Sequence, residues 1–142
     1  MTSTQGQTDQ IAGERLASRI AELTDDKQAL DIVVIDVRGL ANFTDFFVIA
    51  TGRSDRQVKA IHDAVREGTK RELDLGPIRT EGERERSWIL LDYGDCIVHV
   101  MLPEVREYYR LEQLWGDAPR LEIEFAPHVD ASSADGAGLP AA

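Results

Sequence analysis

Cysteine is nearly absent. The single one, Cys96, closes no intramolecular disulfide, and a cysteine-based metal site would need other kinds of ligand. That usage fits a reducing compartment. Long apolar runs are missing too: residues 32–35 and 46–50 are the longest, far short of the roughly 18 residues that a membrane span needs. No basic stretch followed by an apolar one opens the chain, so no secretory signal is read and a cytoplasmic protein is expected. Positive charge is scarce, with 16 Lys and Arg against 26 Asp and Glu and a formal net charge of −10. Nucleic-acid binding draws most of its affinity from cations that displace counterions from phosphates. Broad direct contact with RNA or DNA is therefore disfavoured, and a basic protein partner is favoured because opposite potentials steer encounter. Part of the acidity sits late in the chain, where five acids from Asp117 onward face only Arg120. Plain solubility is the alternative use of the same charge.

What is present suffices for one core. Hydrophobic residues make up 42% of 142 residues, a length that fits a single domain. Residues 1–8 are polar and read as a flexible start. Ile11, Ala12, Leu16, Ile20 and Leu23 recur at three- and four-residue steps and predict a helix ending near residues 24–26. Residues 30–37 and 46–51 read as strands, joined by a loop at 39–44. Ser54 followed by Gln57 is a capping-box signature. The helix it opens carries Val58, Ile61, Val65 and Leu73 on its inner face and runs to about Leu75, where Gly76 and Pro77 end it. Residues 78–80 read as a short strand. Residues 88–93 and 96–101 form a hairpin about Gly94-Asp95. Pro103 opens a last helix over residues 104–115, and residues 121–125 read as a short strand or an extended arm. The order predicts an α+β domain over residues 9–125, with helices on a mixed five-stranded sheet. Residues 126–142 have the composition of a disordered acidic tail.

Few residues point to chemistry. Thr51 to Ser54 join a strand to a helix start, a place where amides hold anions, but no Walker A or G-x-G-x-x-G pattern is present; a tight turn with a helix cap is the plainer use. Asp92 and Asp95 flank the hairpin turn, where a carboxylate more often serves turn amides than a metal or a proton transfer. His62, His99 and His128 lack partners at ligand spacing, so no metal is expected. Cys96 and His99 are three apart on a strand and point to opposite faces, so they do not pair as nucleophile and base. The cluster Tyr108, Tyr109, Leu111, Leu114 and Trp115 is different. Tyr108, Leu111 and Trp115 share one helical line, while Tyr109 and Leu114 lie off it. Such a helix serves either the core or a docking surface, and Tyr and Trp dominate interface hot spots.

Three stretches in series are DFFVIATGRS at residues 45–54 with RQV at 56–58, WILLDYGDCIVH at 88–99, and REYYRLEQLWGD at 106–117. In order and spacing they resemble the ribosomal silencing factor family, also called the Iojap family. The match covers residues 16–117 and departs from the family pattern at Met101-Leu102, where the family often has an aromatic followed by a polar residue. The resemblance implies a nucleotidyltransferase-like sheet in a domain not known as an enzyme, without a cofactor. It implies docking on the large ribosomal subunit, through the fourteenth protein of the L series, at the inter-subunit face. A factor there blocks the small subunit and slows translation when nutrients are short; the free protein is expected to be a homodimer. Carried over by motif, the docking surface is Trp88, Asp92, Asp95, His99, Tyr108, Tyr109, Leu111, Glu112, Leu114 and Trp115, with aromatics supplying area and acids pairing with partner cations. The rival is a nucleotide-binding or nucleotidyl-transferring enzyme. It needs clustered carboxylates for Mg²⁺, usually Asp-x-Asp on one strand, and the strand patterns offer none.

Overall fold

The computed structural model describes residues 2–125, with the backbone alone for residues 2–12. The expected tail, residues 126–142, lies outside the described residues. In chain order the elements are α1 (Thr2–Asp26), β1 (Leu30–Asp36), β2 (Phe46–Thr51), α2 (Asp55–Leu73), β3 (Arg79–Glu81), β4 (Trp88–Asp92), β5 (Cys96–Met101), α3 (Pro103–Tyr109), α4 (Leu111–Leu114) and β6 (Arg120–Leu121). The six strands form one sheet in the order β3-β4-β5-β2-β1-β6. The central strands β2 and β5 run parallel, pairing Phe46 with Cys96 through to Thr51 with Met101, and their neighbours join antiparallel. The sheet is therefore mixed and the class α+β, as the element order predicts.

Every residue of β2 and β5 is buried, so the sheet is covered at its centre on both faces. One face is sealed by two long helices. Val34, Phe46, Val48, Ile89, Leu91, Val98 and Val100 meet Leu16, Ile20 and Leu23 of α1 and Val58, Ile61 and Val65 of α2. Each fully buried side chain of this kind contributes about 1.5–3 kcal/mol. The helices approach closely because position 68 is glycine: a Cβ there would lie 2.6 Å from Leu23. Arg19 ties them at the surface, donating from Nε and Nη2 to the two carboxylate oxygens of Glu72 at 2.7 and 2.8 Å. The other face carries a smaller core of Ile35, Val37, Phe47, Ile49, Ile97, Met101 and Ala118. Its cover is α3 and α4, neither of which contributes a buried residue.

Several boundaries differ from the sequence reading. The sheet has six strands, not five: residues 120–121 pair with the free edge of β1, and the chain then carries Ile123 and Phe125 along the helix-side core. Leu121, Ile123 and Phe125 alternate with Glu122 and Glu124, the pattern behind the reading of a short strand or an arm, but only Arg120 and Leu121 pair. The last helix is two helices, because Arg110 adopts a left-handed conformation at φ +50° and breaks it. The line Tyr108, Leu111, Trp115 is therefore not one helical stripe. Helical backbone begins at Thr2, ahead of the first apolar repeat. Helix α2 stops at Leu73, capped by a left-handed Asp74, so Gly76 is not its terminator. Leu73 is exposed, not part of the inner face: the last buried positions of α2 are Gly68 and Thr69, and in the final turn it is Glu72 that meets α1, through Arg19. Strand β3 is shifted by one residue, to Arg79–Glu81.

Candidate functional site

Alternation along β4 and β5 decides which side chains reach the thinly covered face. Ile89, Leu91, Val98 and Val100 point to the long helices, which leaves Trp88, Leu90, Asp92, Ile97 and His99 for the other side. There the Trp88 indole N–H donates to His99 Nδ1 at 3.0 Å. His99 is buried, and burial pushes its pKa down to about 4, so at neutral pH the ring is uncharged and its Nδ1 lone pair is free to accept. Aromatic contacts spread from this pair. His99 meets Phe47 at 5.5 Å between ring centres, and Phe47 meets Trp115 at the same distance. Trp115 meets Phe43 at 6.5 Å. In the other direction Trp88 packs on Tyr109, and Tyr109 on Tyr108, each at 4.9 Å.

The rings border a groove of about 510 Å³, floored by Phe47, Ile97 and His99 and walled by Phe43, Leu111 and Trp115. Phe43 on its wall is 57% exposed, and outside it Tyr108 is 79% exposed, Leu114 72% and Tyr109 52%. Exposed apolar patches rimmed by polar residues are a general mark of interaction surfaces. Asp92 stands at the rim. One of its oxygens accepts the Gly94 N–H at 2.8 Å, and the other lies 3.5 Å from Arg79. Gly94, at φ +89°, is the first central residue of the turn closed by the Tyr93 N–H on the Cys96 carbonyl, the type II′ pattern.

Of the residues picked out by sequence, Asp92, His99, Leu111 and Trp115 line the groove; Trp88 stands beside it, bonded to His99, with Tyr109 and then Tyr108 stacked outward from it, and Leu114 is exposed on α4. Asp95 is not with them. It lies at the start of β5 on the α1 side, its Cβ 3.6 Å from where a Cβ on Gly13 would sit. The two aspartates of the hairpin thus do not converge on one site. Glu112 is turned inward and paired with Arg106 at 2.6 Å. Phe43 and Phe47 are groove residues that sequence reasoning missed. For Phe47 the signal was available in β2: a strand apolar at every position must bury both faces, and only one face has long helices to cover it; Phe43, in the loop before it, gave none.

The remaining candidates have local uses. The Ser54 hydroxyl accepts the Gln57 N–H at 3.2 Å, while Gln57 Oε1 accepts the Arg53 N–H at 2.6 Å. The reciprocal bond of the cap thus falls one residue earlier than in the standard box, and two of the amides that would face an anion are engaged. Cys96 is fully buried on the helix side, and burial, with Asp95 and Asp92 nearby, pushes its thiol pKa up; a thiol so held is a poor nucleophile. His62 Nδ1 lies 2.9 Å from Asp63. Among the described residues no group of three or more His, Cys, Asp or Glu is placed to hold a metal ion, and no helix is long and apolar enough to cross a membrane.

Fold and surface together define an α+β domain with one face of its sheet sealed by two long helices and the other carrying a groove bordered by aromatic side chains. Residues 10–138 match the family model described as ribosomal silencing factor during starvation. A ribosomal silencing factor of Halalkalibacterium halodurans is 36% identical over 115 residues, covering 80% of this chain and 97% of that protein. One of Bacillus subtilis is 41% identical over 105 residues, covering 74% and 88%. A crystal structure of a Chromobacterium violaceum protein superposes with a TM-score of 0.67 at 37% identity, covering 81% of this chain and 93% of that one. The chain belongs to the ribosomal silencing factor family.

Proposed function

We propose that the protein docks through its aromatic face on the large ribosomal subunit, on the fourteenth protein of the L series, and keeps the small subunit from joining. The observation that carries this reading is the groove between Phe43 and Trp115, with Phe43 on its wall and Tyr108, Tyr109 and Leu114 of α3 and α4 left in solvent. A net charge of −10 favours a basic ribosomal protein and disfavours RNA as the main contact. Exclusion by bulk needs no turnover, so the protein acts as a non-enzymatic repressor of translation when nutrients are short, in the cytoplasm. When free it is a homodimer, an arrangement able to shield exposed apolar surface.

Trp115 and Tyr109 are the anchors to test. Each presents a large rigid ring backed by another aromatic. Truncating either to Ala is expected to weaken binding by about 2 kcal/mol or more, read by co-sedimentation with purified large subunits while circular dichroism confirms the fold. Binding by both variants at the strength of the parent chain would remove the aromatic face from the account.

A further inference from the structure

The exposed Tyr108, Tyr109 and Leu114 stand on two helices that hold themselves poorly. Helices of seven and four residues do not persist in water unaided, α3 and α4 bury no residue of their own, and the chain between them takes a left-handed turn at Arg110. Val105 of α3 and Leu111 and Trp115 at α4 lean on the sheet, so each helix is held by apolar contact from one side only, with partly buried residues. A charged side chain spans the break between them. Arg106, in α3, is only 11% exposed, and Glu112, in α4, 22%. Arg106 donates from Nε and Nη2 to Glu112 Oε2 at 3.0 and 2.6 Å, and from Nη1 to the hydroxyl of Thr51 at 2.8 Å. Thr51 is the last residue of β2 and is buried. One planar guanidinium thus joins three elements, a geometry that the single ammonium of lysine does not reproduce.

We infer that Arg106, Glu112 and Thr51 form a clamp that sets the angle between α3 and α4 and so presents Tyr109, Leu114 and Trp115 in their docking arrangement. Glu112 is then a positioning residue acting through Arg106, not an acid offered to the partner. The inference rests on the docking reading for its consequence, but the clamp has a readout of its own in the free chain.

The test pairs hydrogen exchange of the free protein with affinity for purified large subunits, in Glu112→Gln, Arg106→Gln, Arg106→Lys and the double variant R106Q/E112Q. Amides of residues 104–115 are expected to exchange faster in every variant while those of β2 and β5 keep their protection. Subunit binding is expected to weaken about ten-fold in each single variant and no further in the double, since both changes break one contact. Losses that add in the double variant would overturn the clamp, as would weakened binding by Glu112→Gln with unchanged exchange, because Glu112 would then touch the partner directly. Retention of parent exchange and affinity by Arg106→Lys would overturn the requirement for a planar fork. If a variant at Arg106 or Glu112 loosens the whole sheet, Thr51→Val decides: it removes only the hydroxyl acceptor, and unchanged exchange at α3 would count against the clamp. If the parent chain fails to bind large subunits, the docking reading falls while the exchange data still settle the clamp.

Discussion

His99 is held neutral by its surroundings, and the Trp88 indole depends on that neutrality for its acceptor. The consequence for stability has a definite sign. The folded pKa of about 4 lies below the value near 6.5 of an unfolded histidine, so the unfolded chain takes the proton first. The contribution is present in full above about pH 6.5 and is lost as pH falls toward 4, at a cost on the order of 3 kcal/mol. The midpoint of urea unfolding is expected to fall across that window, and the His99 ring resonances to show a neutral imidazole at pH 5; a ring already charged at pH 6 contradicts the burial argument. Trp88→Phe keeps the ring but removes the donor, leaving a buried nitrogen without its partner. It is expected to cost about 1–3 kcal/mol in urea unfolding. Much at this scale is legible from sequence: alternation alone places His99 and Cys96 on opposite faces, and that is how they stand. The partner of the His99 nitrogen is not legible, because it comes from a neighbouring strand eleven residues away.

The elements most readable in the sequence are β2, β4, β5 and the body of α2, each an apolar run or stripe bounded by glycine, aspartate or a capping serine. The least readable are those whose existence depends on something distant. Strand β6 is two residues long and exists because β1 offers an unpaired edge. The division between α3 and α4 sits at Arg110, a residue with no strong preference for the left-handed region; the hint was that Tyr109 and Leu114 fit no single helical stripe. Ahead of β4, Gly82 has a structural duty that no motif announces. At φ +86° it lies so close to the Trp88 carbonyl that an added Cβ would sit 1.9 Å from the oxygen. Gly82→Ala is expected to displace the start of β4, to cost about 1–3 kcal/mol in urea unfolding, and to alter tryptophan fluorescence by moving Trp88. An unchanged unfolding midpoint contradicts the close approach.

Across the whole molecule, the asymmetry of cover organises the account. Two long helices close one face of the sheet, and two short ones leave the other with a groove and a ledge of exposed rings. Sequence showed the ledge as an ambiguous aromatic helix and supplied the family through three motifs. It did not show the opposite wall, because Phe43 lies in a loop without periodicity. Phe43→Ala is expected to weaken docking without unfolding the chain, since its ring is more exposed than buried; parent-strength co-sedimentation by this variant contradicts its place in the surface. Encounter between an acidic chain and a basic partner is also expected to slow as salt is raised, because exposed charges are screened beyond about 10 Å at 0.1 M; stopped-flow association rates measure this, and a rate indifferent to salt contradicts electrostatic steering. The central claim is steric, and subunit joining tests it most directly: purified large subunits are titrated with the protein before small subunits are added, and light scattering follows the joined particle. The account predicts that joining falls as the protein is added and stops when the large subunits are saturated; joined particles forming at their full yield with every large subunit occupied would contradict it.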